Sequence, residues 1–180
     1  MGGNKPLRML GGVSLLDRAI AYANRLTSLS AIAVRREGQA GNVEIPLLRD
    51  DAEIEGPLAG LVTALRFARD EGADAVLTIP ADMPFLPLDL AERLSGGLVR
   101  TGAAIASSGG HLHPVCGAWS VGALDLIPAY LACGKRSLKG FAEKVGCVAV
   151  DWPIEPVDPF FNINSAQDLA RAEQLRTLNS

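Results

Sequence analysis

The chain has 180 residues, 48% of them hydrophobic and 21% charged, which fits one globular domain over residues 1–180 with a sizeable core. Its net charge of −3 offers no basic stripe for a nucleic acid, and no apolar stretch approaches the ~20 residues that cross a bilayer. Three cysteines without metal-ligand spacing are typical of free thiols in a reducing compartment, so we expect a cytoplasmic protein.

The first half of the chain alternates between helical and strand-like patterns. After a glycine-rich start, apolar residues at 3.6-residue spacing predict an amphipathic helix from Leu15 to Leu26, with Ser14 as its N-cap. Short apolar runs predict buried strands at 30–35 and 43–48.

A second helix is predicted from Gly56-Pro57 to about Glu71, because proline is tolerated in a first helical turn and Gly72 favours an end. A strand-like run at 75–80 follows, and the chain then leaves the sheet, since Pro84 prevents the strand from continuing.

Asp82 follows that strand and is the most informative residue of the chain. It lies where open α/β sheets bind their ligands, and a carboxylate there can hold a hard cation against a phosphate. The alternative is a turn aspartate that only bonds its own backbone.

The second half continues the alternation of helices and strands. Predicted next are a helix from about 87 to 95 closed by Gly96-Gly97, and strands at 103–106 and 115–120 that form a hairpin or two neighbouring strands. Helices are predicted near 122–131 and 137–145, a strand at 148–152, and a last helix from Ser165 to about 175 with Asp168 three residues after its N-cap. This alternation predicts an α/β fold with a largely parallel sheet.

Four segments, in order, resemble one family. They are Met1-Gly2-Gly3-Asn4-Lys5 with Leu10-Gly11-Gly12 and Leu15-Leu16; Glu55-Gly56-Pro57-Leu58-Ala59-Gly60-Leu61; Pro80-Ala81-Asp82-Met83-Pro84-Phe85 with Asp89-Leu90; and Phe161-Asn162-Ile163-Asn164-Ser165 with Asp168-Leu169. His113-Pro114 matches a further His-Pro of that family. The chain resembles the molybdenum cofactor guanylyltransferases, which implies a three-layer Rossmann-like nucleotidyltransferase fold with a mostly parallel central sheet.

The sequence departs from this family in two places. The family's signature begins with a strand in the middle of the sheet, followed by a phosphate-binding loop, and both are absent ahead of Met1. Either the natural protein starts upstream or the chain is a truncated relative; we favour the first, since a missing central strand leaves two rows of backbone groups unpaired. Val34-Arg35-Arg36-Glu37 also stands where the family often has an Asn-containing segment that contacts the base.

The resemblance assigns roles to particular residues. Lys5 and Asp82 are the expected catalytic residues, with Asp82 as the ligand of a Mg²⁺ cofactor. The expected substrate-binding residues are Gly2, Gly3, Lys5, Asp50, Gly56, Leu58, Asn162 and Asn164. Each has a plainer reading: a solvated or disordered terminus for 2–5, a surface turn for Asp50 and its neighbour Asp51, a packing helix for 56–60, and helix capping for the asparagines.

Two further features remain open at this point. His113 either positions the second substrate or belongs to a structural turn. Lys135, Arg136 and Lys139 either receive an anionic pterin phosphate or form a solvated helix end.

The resemblance implies transfer of GMP from GTP to the terminal phosphate of molybdopterin, with release of pyrophosphate. It implies no nucleic-acid or membrane partner, and it leaves room for transient contact with cofactor-synthesis or molybdoenzyme partners. Two alternatives are a related cytidylyltransferase acting on molybdopterin or another phosphorylated acceptor, and a non-catalytic nucleotide-binding relative.

Overall fold

A computed structural model describes residues 5–99 and 101–178, and the side chains of 6–99 and 101–176. The strands are β1 (Met9–Leu10), β2 (Val13–Ser14), β3 (Ile32–Val34), β4 (Leu47–Arg49), β5 (Ala75–Thr78), β6 (Ala103–Ser108), β7 (His111–Ser120) and β8 (Cys147–Trp152). The helices are α1 (Leu15–Leu26), α2 (Pro57–Asp70), α3 (Leu90–Leu98), α4 (Ile127–Ala132), α5 (Leu138–Val145) and α6 (Ala166–Leu178). Two short 3-10 helices cover Lys5–Leu7 and Val121–Leu126.

Four strands form the main sheet in the order β5-β7-β6-β8. β7 is antiparallel to both of its neighbours, whereas β6 and β8 are parallel, so β5, β6 and β8 all run in one direction. The sheet is therefore mixed: three strands agree with the predicted parallel arrangement, and β7 reverses because Gly109-Gly110 closes a hairpin with β6.

Helices cover both faces of this sheet, as a three-layer fold requires. Alternate residues of β6 point to opposite faces, so Ala103 and Ile105 join a core with α2, α4 and α5, whereas Ala104 and Ala106 join a core with α3. Every residue of β6 is buried. No helix in the part of the chain that the structure describes is long and apolar enough to cross a membrane.

Strands β3 and β4 pair in parallel with each other and form a separate two-stranded sheet. β3 lines two adjoining cavities of about 540 and 460 Å³, and β5 lines the smaller of them. Ala33 and Ala75, one on each strand, are exposed. No ladder hydrogen bond among the described residues joins β3 to β5, so a gap separates the two sheets.

The helix ends follow the local sequence signals. Ser14 Oγ accepts from Asp17 N at 3.0 Å, which caps α1 as predicted. At the end of α2, Gly72 N donates to Arg69 O and the next amide donates to Ala68 O, the Schellman arrangement that a positive φ at glycine allows. At the last helix, Ser165 Oγ accepts from Asp168 N at 3.0 Å.

Several predicted boundaries were wrong. The strand predicted at 43–48 is β4, Leu47–Arg49; its pairing with β3 begins only after Pro46, which has no N–H to donate. The helix predicted from 87 begins at Leu90, the region 122–131 is a 3-10 helix followed by α4, and α6 runs to Leu178.

The helix α3 does not end at Gly96-Gly97 as predicted but runs on to Leu98. A Cβ on Gly97 would lie 3.0 Å from side-chain atoms of both Ala104 and Val148. Gly97 therefore allows α3 to pack closely on the main sheet, and it does not end the helix.

Candidate functional site

The candidate site lies at the carboxyl edge of the sheet: β6 and β8 end level with each other at Ser108 and Trp152, whereas β5 ends earlier, at Thr78. Asp82 follows the end of β5 by four residues, is partly buried, and lines the larger cavity together with Pro80 and Ala81. Strand β3 borders the same cavity from the other side of the gap. Asp82 thus stands at the opening in the middle of the sheet, where α/β folds place their ligands.

The segment that carries the two asparagines runs directly beside Asp82. Ile163 N donates to Asp82 O at 2.9 Å, and the Ile163 side chain is fully buried. Asn162 Oδ1 is buried and has no hydrogen-bond partner among the described residues. Because a buried polar oxygen without a partner costs free energy, such an atom indicates a missing ligand or water.

Asn164 differs from Asn162 in its surroundings. Its side chain is exposed, and its backbone N donates to Asp168 Oδ2 at 3.0 Å, as does the next amide. These bonds belong to the N-terminal cap of α6, the plainer reading of this residue. The structure therefore brings Asn162 and Asp82 together and gives the backbone of Asn164 a capping role.

Asp50 follows β4 and is joined to β3, since its N–H donates to Val34 O at 2.9 Å. Its Oδ1 is buried without a partner among the described residues, and Arg35 Nε lies 3.8 Å from its Oδ2. Burial raises the pKa of the Asp50 carboxyl, and the Arg35 charge opposes that rise only in part.

Asp51 is engaged in structural contacts that Asp50 lacks. It accepts from Arg66 Nη1 at 2.7 Å and from Glu53 N at 3.0 Å. The Arg66 hydrogen bond, followed by the backbone bond, lowers the pKa of the Asp51 carboxyl. Of the two aspartates, Asp50 is the one with an oxygen left to receive a ligand.

The first turn of α2 begins at Gly56, whose φ of 75° and ψ of −165° are accessible essentially to glycine alone. The first N–H groups of a helix have no partner within the helix and can face an anion. The Leu58 side chain is fully buried in the core, so only the backbone of Leu58 is available for the substrate contact expected of this residue. Gly60 lies against Asp50: a Cβ there would be 3.5 Å from Asp50 Oδ1.

The remaining sequence predictions fall partly outside the described residues. Gly2 and Gly3 lie outside them, and so does the side chain of Lys5, whose backbone belongs to the 3-10 helix at Lys5–Leu7. Pro6 lines the cavity that also contains Asp82, so the chain beside Lys5 does approach the candidate site.

The basic cluster has a structural contact of its own. Arg136 Nη1 donates to the carbonyl oxygens of Leu131 and Lys135 at 2.8 and 2.9 Å, near the end of α4. This is the helix-end role that the sequence left open. Lys135 and Lys139 are exposed.

A magnesium ion would have one aspartate of this site to bind. Within residues 5–99 and 101–178, no group of three or more His, Cys, Asp and Glu side chains is gathered to hold a metal ion. Mg²⁺ in nucleotide sites commonly uses one or two carboxylates together with substrate phosphates and water. Asp82, a single carboxylate that lines the larger cavity, fits that mode of binding.

Sequence reasoning missed a polar cluster behind the asparagine segment. Ser108 Oγ lies 2.9 Å from His113 Nε2 and donates to Asp158 Oδ1 at 2.9 Å. The His-Pro pair was noticed, but its partners lie 5 and 45 residues away. No local pattern identifies such partners.

The chain matches the model of the MobA-like NTP transferase domain over residues 1–150. The fold is thus that of a nucleotidyltransferase of the MobA-like class. A molybdenum cofactor guanylyltransferase of Cereibacter sphaeroides (strain ATCC 17029 / ATH 2.4.9) is 38% identical over an alignment of 178 residues that covers 97% of this chain and 90% of that protein. One of Rhodopseudomonas palustris (strain HaA2) is 39% identical over 181 residues, with 97% and 85% covered. The chain belongs to the molybdenum cofactor guanylyltransferase family.

Solved structures agree at the level of the fold. Molybdopterin-guanine dinucleotide biosynthesis protein A of Archaeoglobus fulgidus superposes with a TM-score of 0.76 at 24% identity, over 97% of this chain and 91% of that one. The 4-diphosphocytidyl-2C-methyl-D-erythritol synthase of Anaerococcus prevotii gives 0.75 at 14% identity, over 95% and 91%. The predicted nucleotidyltransferase fold is confirmed.

Proposed function

We propose that this protein transfers GMP from GTP to the terminal phosphate of molybdopterin. Its relatives of about 38% identity are named for guanylyl transfer in this cofactor's synthesis. One observation of the structure supports the proposal above others. Ile163 N donates to the backbone carbonyl of Asp82, so the segment that carries the buried, unpartnered Asn162 oxygen runs beside the residue whose carboxylate would hold the cation of a triphosphate.

In the proposed reaction, an oxygen of the acceptor phosphate attacks the α-phosphorus of GTP in line. The bond from that phosphorus to the oxygen bridging the α- and β-phosphates breaks, and pyrophosphate leaves with the electron pair. The acceptor phosphate is already ionised, so no general base is required. The protein contributes by positioning the two substrates and by neutralising their charge.

Each residue has a share in that positioning. Asp82 would hold a Mg²⁺ ion, which would draw negative charge from the phosphates when bound. Lys5 neutralises the triphosphate directly. The backbone N–H groups beside Gly2, Gly3 and Gly56 donate hydrogen bonds to phosphate oxygens or to the edge of the base. Asn162 orients a phosphate by donating from its amide nitrogen, and the Asp50 carboxylate accepts a hydrogen bond from the nucleoside.

We place this reaction in the cytoplasm and assign it to one domain spanning residues 1–180. Cys116, Cys133 and Cys147 are all free, in keeping with a reducing compartment. The net charge of −3 means that positive charge for the substrates has to be gathered locally.

The test is guanylyl transfer by the Asp82→Asn variant with Mg·GTP and molybdopterin. We expect turnover to fall by about 100-fold or more, because the ion loses its anionic ligand while the side-chain volume is kept. The matched control is Asp74→Asn, at the exposed opposite end of the same strand, which should keep full turnover. Unchanged turnover in Asp82→Asn would refute the assignment. Faster transfer from CTP than from GTP by the wild type would instead favour the cytidylyltransferase alternative.

A further inference from the structure

The segment 153–165 connects β8 to α6 and carries Asn162. Among the contacts that the structure describes, two hydrogen-bonded attachments flank Asn162. At one point Ile163 N donates to Asp82 O at 2.9 Å. At the other, Asp158 Oδ1 accepts from Ser108 Oγ and from Phe160 N, both at 2.9 Å. Asn162 lies between these two points along the chain, so its place depends on both.

The second point is built from the β6–β7 hairpin. Ser108 is the last residue of β6 and is only 2% exposed, and its hydroxyl is shared between Asp158 and His113. An ionised carboxylate can only accept, so the single hydroxyl proton of Ser108 goes to Asp158. The Ser108 oxygen must then accept from His113 Nε2–H, which fixes the tautomer of the imidazole and leaves Nδ1 as its unprotonated nitrogen.

Aromatic packing reinforces the same attachment. The His113 ring stacks on Phe160 with 4.8 Å between ring centroids. The Trp152 ring meets the Phe160 ring edge-on, with 5.4 Å between centroids. Phe160 is 2% exposed, so it anchors the segment in the core two residues before Asn162.

The hairpin itself lies beside the site because of an irregularity in β7. Ile105 pairs with Gly117, but the next residue, Ala106, pairs with His113, so the chain between these partners bulges from the ladder. Strand β5 pairs with β7 only over residues 117–120. The outer part of the hairpin, which carries Ser108 and His113, thus extends beyond the end of β5, toward the edge where Asp82 lies.

We propose that Ser108 and His113 are positioning residues of the ligand site: they hold Asp158 and Phe160 and thereby set Asn162 beside Asp82 for a phosphate-bearing ligand. The role rests on the proposed function for the identity of that ligand, but the attachment itself does not. A side chain held in place before binding loses less conformational entropy on binding, so the attachment improves affinity without touching the ligand.

The chain offers a closely matched control. Ser107, the preceding residue of β6, is 7% exposed and donates to Asp151 Oδ1 at 2.9 Å. Asp151 belongs to β8 and not to the segment 153–165. Ser107→Ala and Ser108→Ala therefore remove the same kind of buried bond from neighbouring positions, but only Ser108→Ala releases the Asn162 segment.

The first measurement is amide hydrogen exchange of Ile163 in the ligand-free variants. Ser108→Ala should speed this exchange by about tenfold relative to Ser107→Ala, the factor that one lost hydrogen bond corresponds to. Equal exchange in the two variants would overturn the proposal. Should Ser108→Ala fail to fold, the comparison of Asp158→Ala with Asp158→Asn replaces it, since the amide side chain of the second variant keeps the oxygen that accepts from Ser108 and Phe160.

The second measurement is the affinity for Mg·GTP by titration calorimetry. Ser108→Ala and Asp158→Ala should bind about tenfold more weakly, while Asp158→Asn and Ser107→Ala bind as the wild type does. Weakening by Ser107→Ala as large as by Ser108→Ala would show a general loss of stability and overturn the positioning role. A wild type that does not bind Mg·GTP contradicts the proposed function, and the exchange of Ile163 then still decides whether the attachment holds.

Discussion

The Gly56→Ala variant tests the start of α2 as part of the nucleotide site. Gly56 has a φ of 75° and a ψ of −165°, and a Cβ added there would meet nothing within 4 Å. The cost of the substitution is therefore carried by the backbone alone, at about 1–3 kcal/mol for a conformation confined to glycine. In a chain of this size that corresponds to roughly 2–4 °C in Tm for each kcal/mol.

The backbone can relieve this strain only by turning the peptide that leads into the helix. Such a rotation moves the first N–H groups of α2, which the proposed function aims at the nucleotide. We expect the variant to bind Mg·GTP at least tenfold more weakly, in addition to its lost stability. The assay combines urea unfolding, for the free energy, with calorimetric titration of Mg·GTP.

Gly72→Ala, at the other end of the same helix, is the matched control. Its φ is 73° and its Cβ position is equally empty, so it should lose about 1–2 kcal/mol of stability by the same physical cause. Its affinity for Mg·GTP should equal that of the wild type. If both variants bind Mg·GTP equally well, the start of α2 does not contact the nucleotide and this part of the site is misplaced.

Two further predictions concern packing and pH. Gly97→Ala should destabilise the fold by about 1–3 kcal/mol in urea unfolding, because its Cβ would press on Ala104 and Val148, whereas Gly96→Ala, with open space around it, should stabilise α3 by about 0.5–1 kcal/mol; equal effects would contradict the packing role of Gly97. Burial lowers the pKa of His113 below its ordinary 6.5, so the unfolded chain takes up a proton that the folded chain does not. The free energy of unfolding that comes from keeping His113 neutral is fully present above pH 6.5 and is lost as the pH falls toward the folded pKa. His113→Gln should therefore flatten this part of a stability-versus-pH curve. An unchanged slope would exclude His113 as the source of the pH dependence.

Local signals in the sequence were sufficient for much of the fold. Ser14 and Gly72 each act on the backbone within five residues, so the ends of α1 and α2 could be predicted from spacing alone. Asp82 was found because the end of an apolar run and a following proline are both visible in the sequence. The role of Gly97 was not found, because a helix stop and a close packing contact look alike until the neighbouring strand is known.

The candidate site could be predicted only in part, since its parts come from distant segments. The family resemblance supplied both Asn162 and Asn164, but only the structure separates a buried, unpartnered oxygen from an exposed side chain. The attachment of Asp158 to Ser108 joins residues 50 apart, and no periodicity in a single sequence predicts such a pairing.

The gap between β3 and β5 separates the β3–β4 sheet from the main sheet. The ladder hydrogen bonds that the structure describes stop at these two strands, and α2 packs against β3, β4 and β5. Asp50 lies on one side of the division and Asp82 on the other. A nucleotide that contacts both aspartates would link the β3–β4 sheet to the main sheet directly, in addition to the packing of α2.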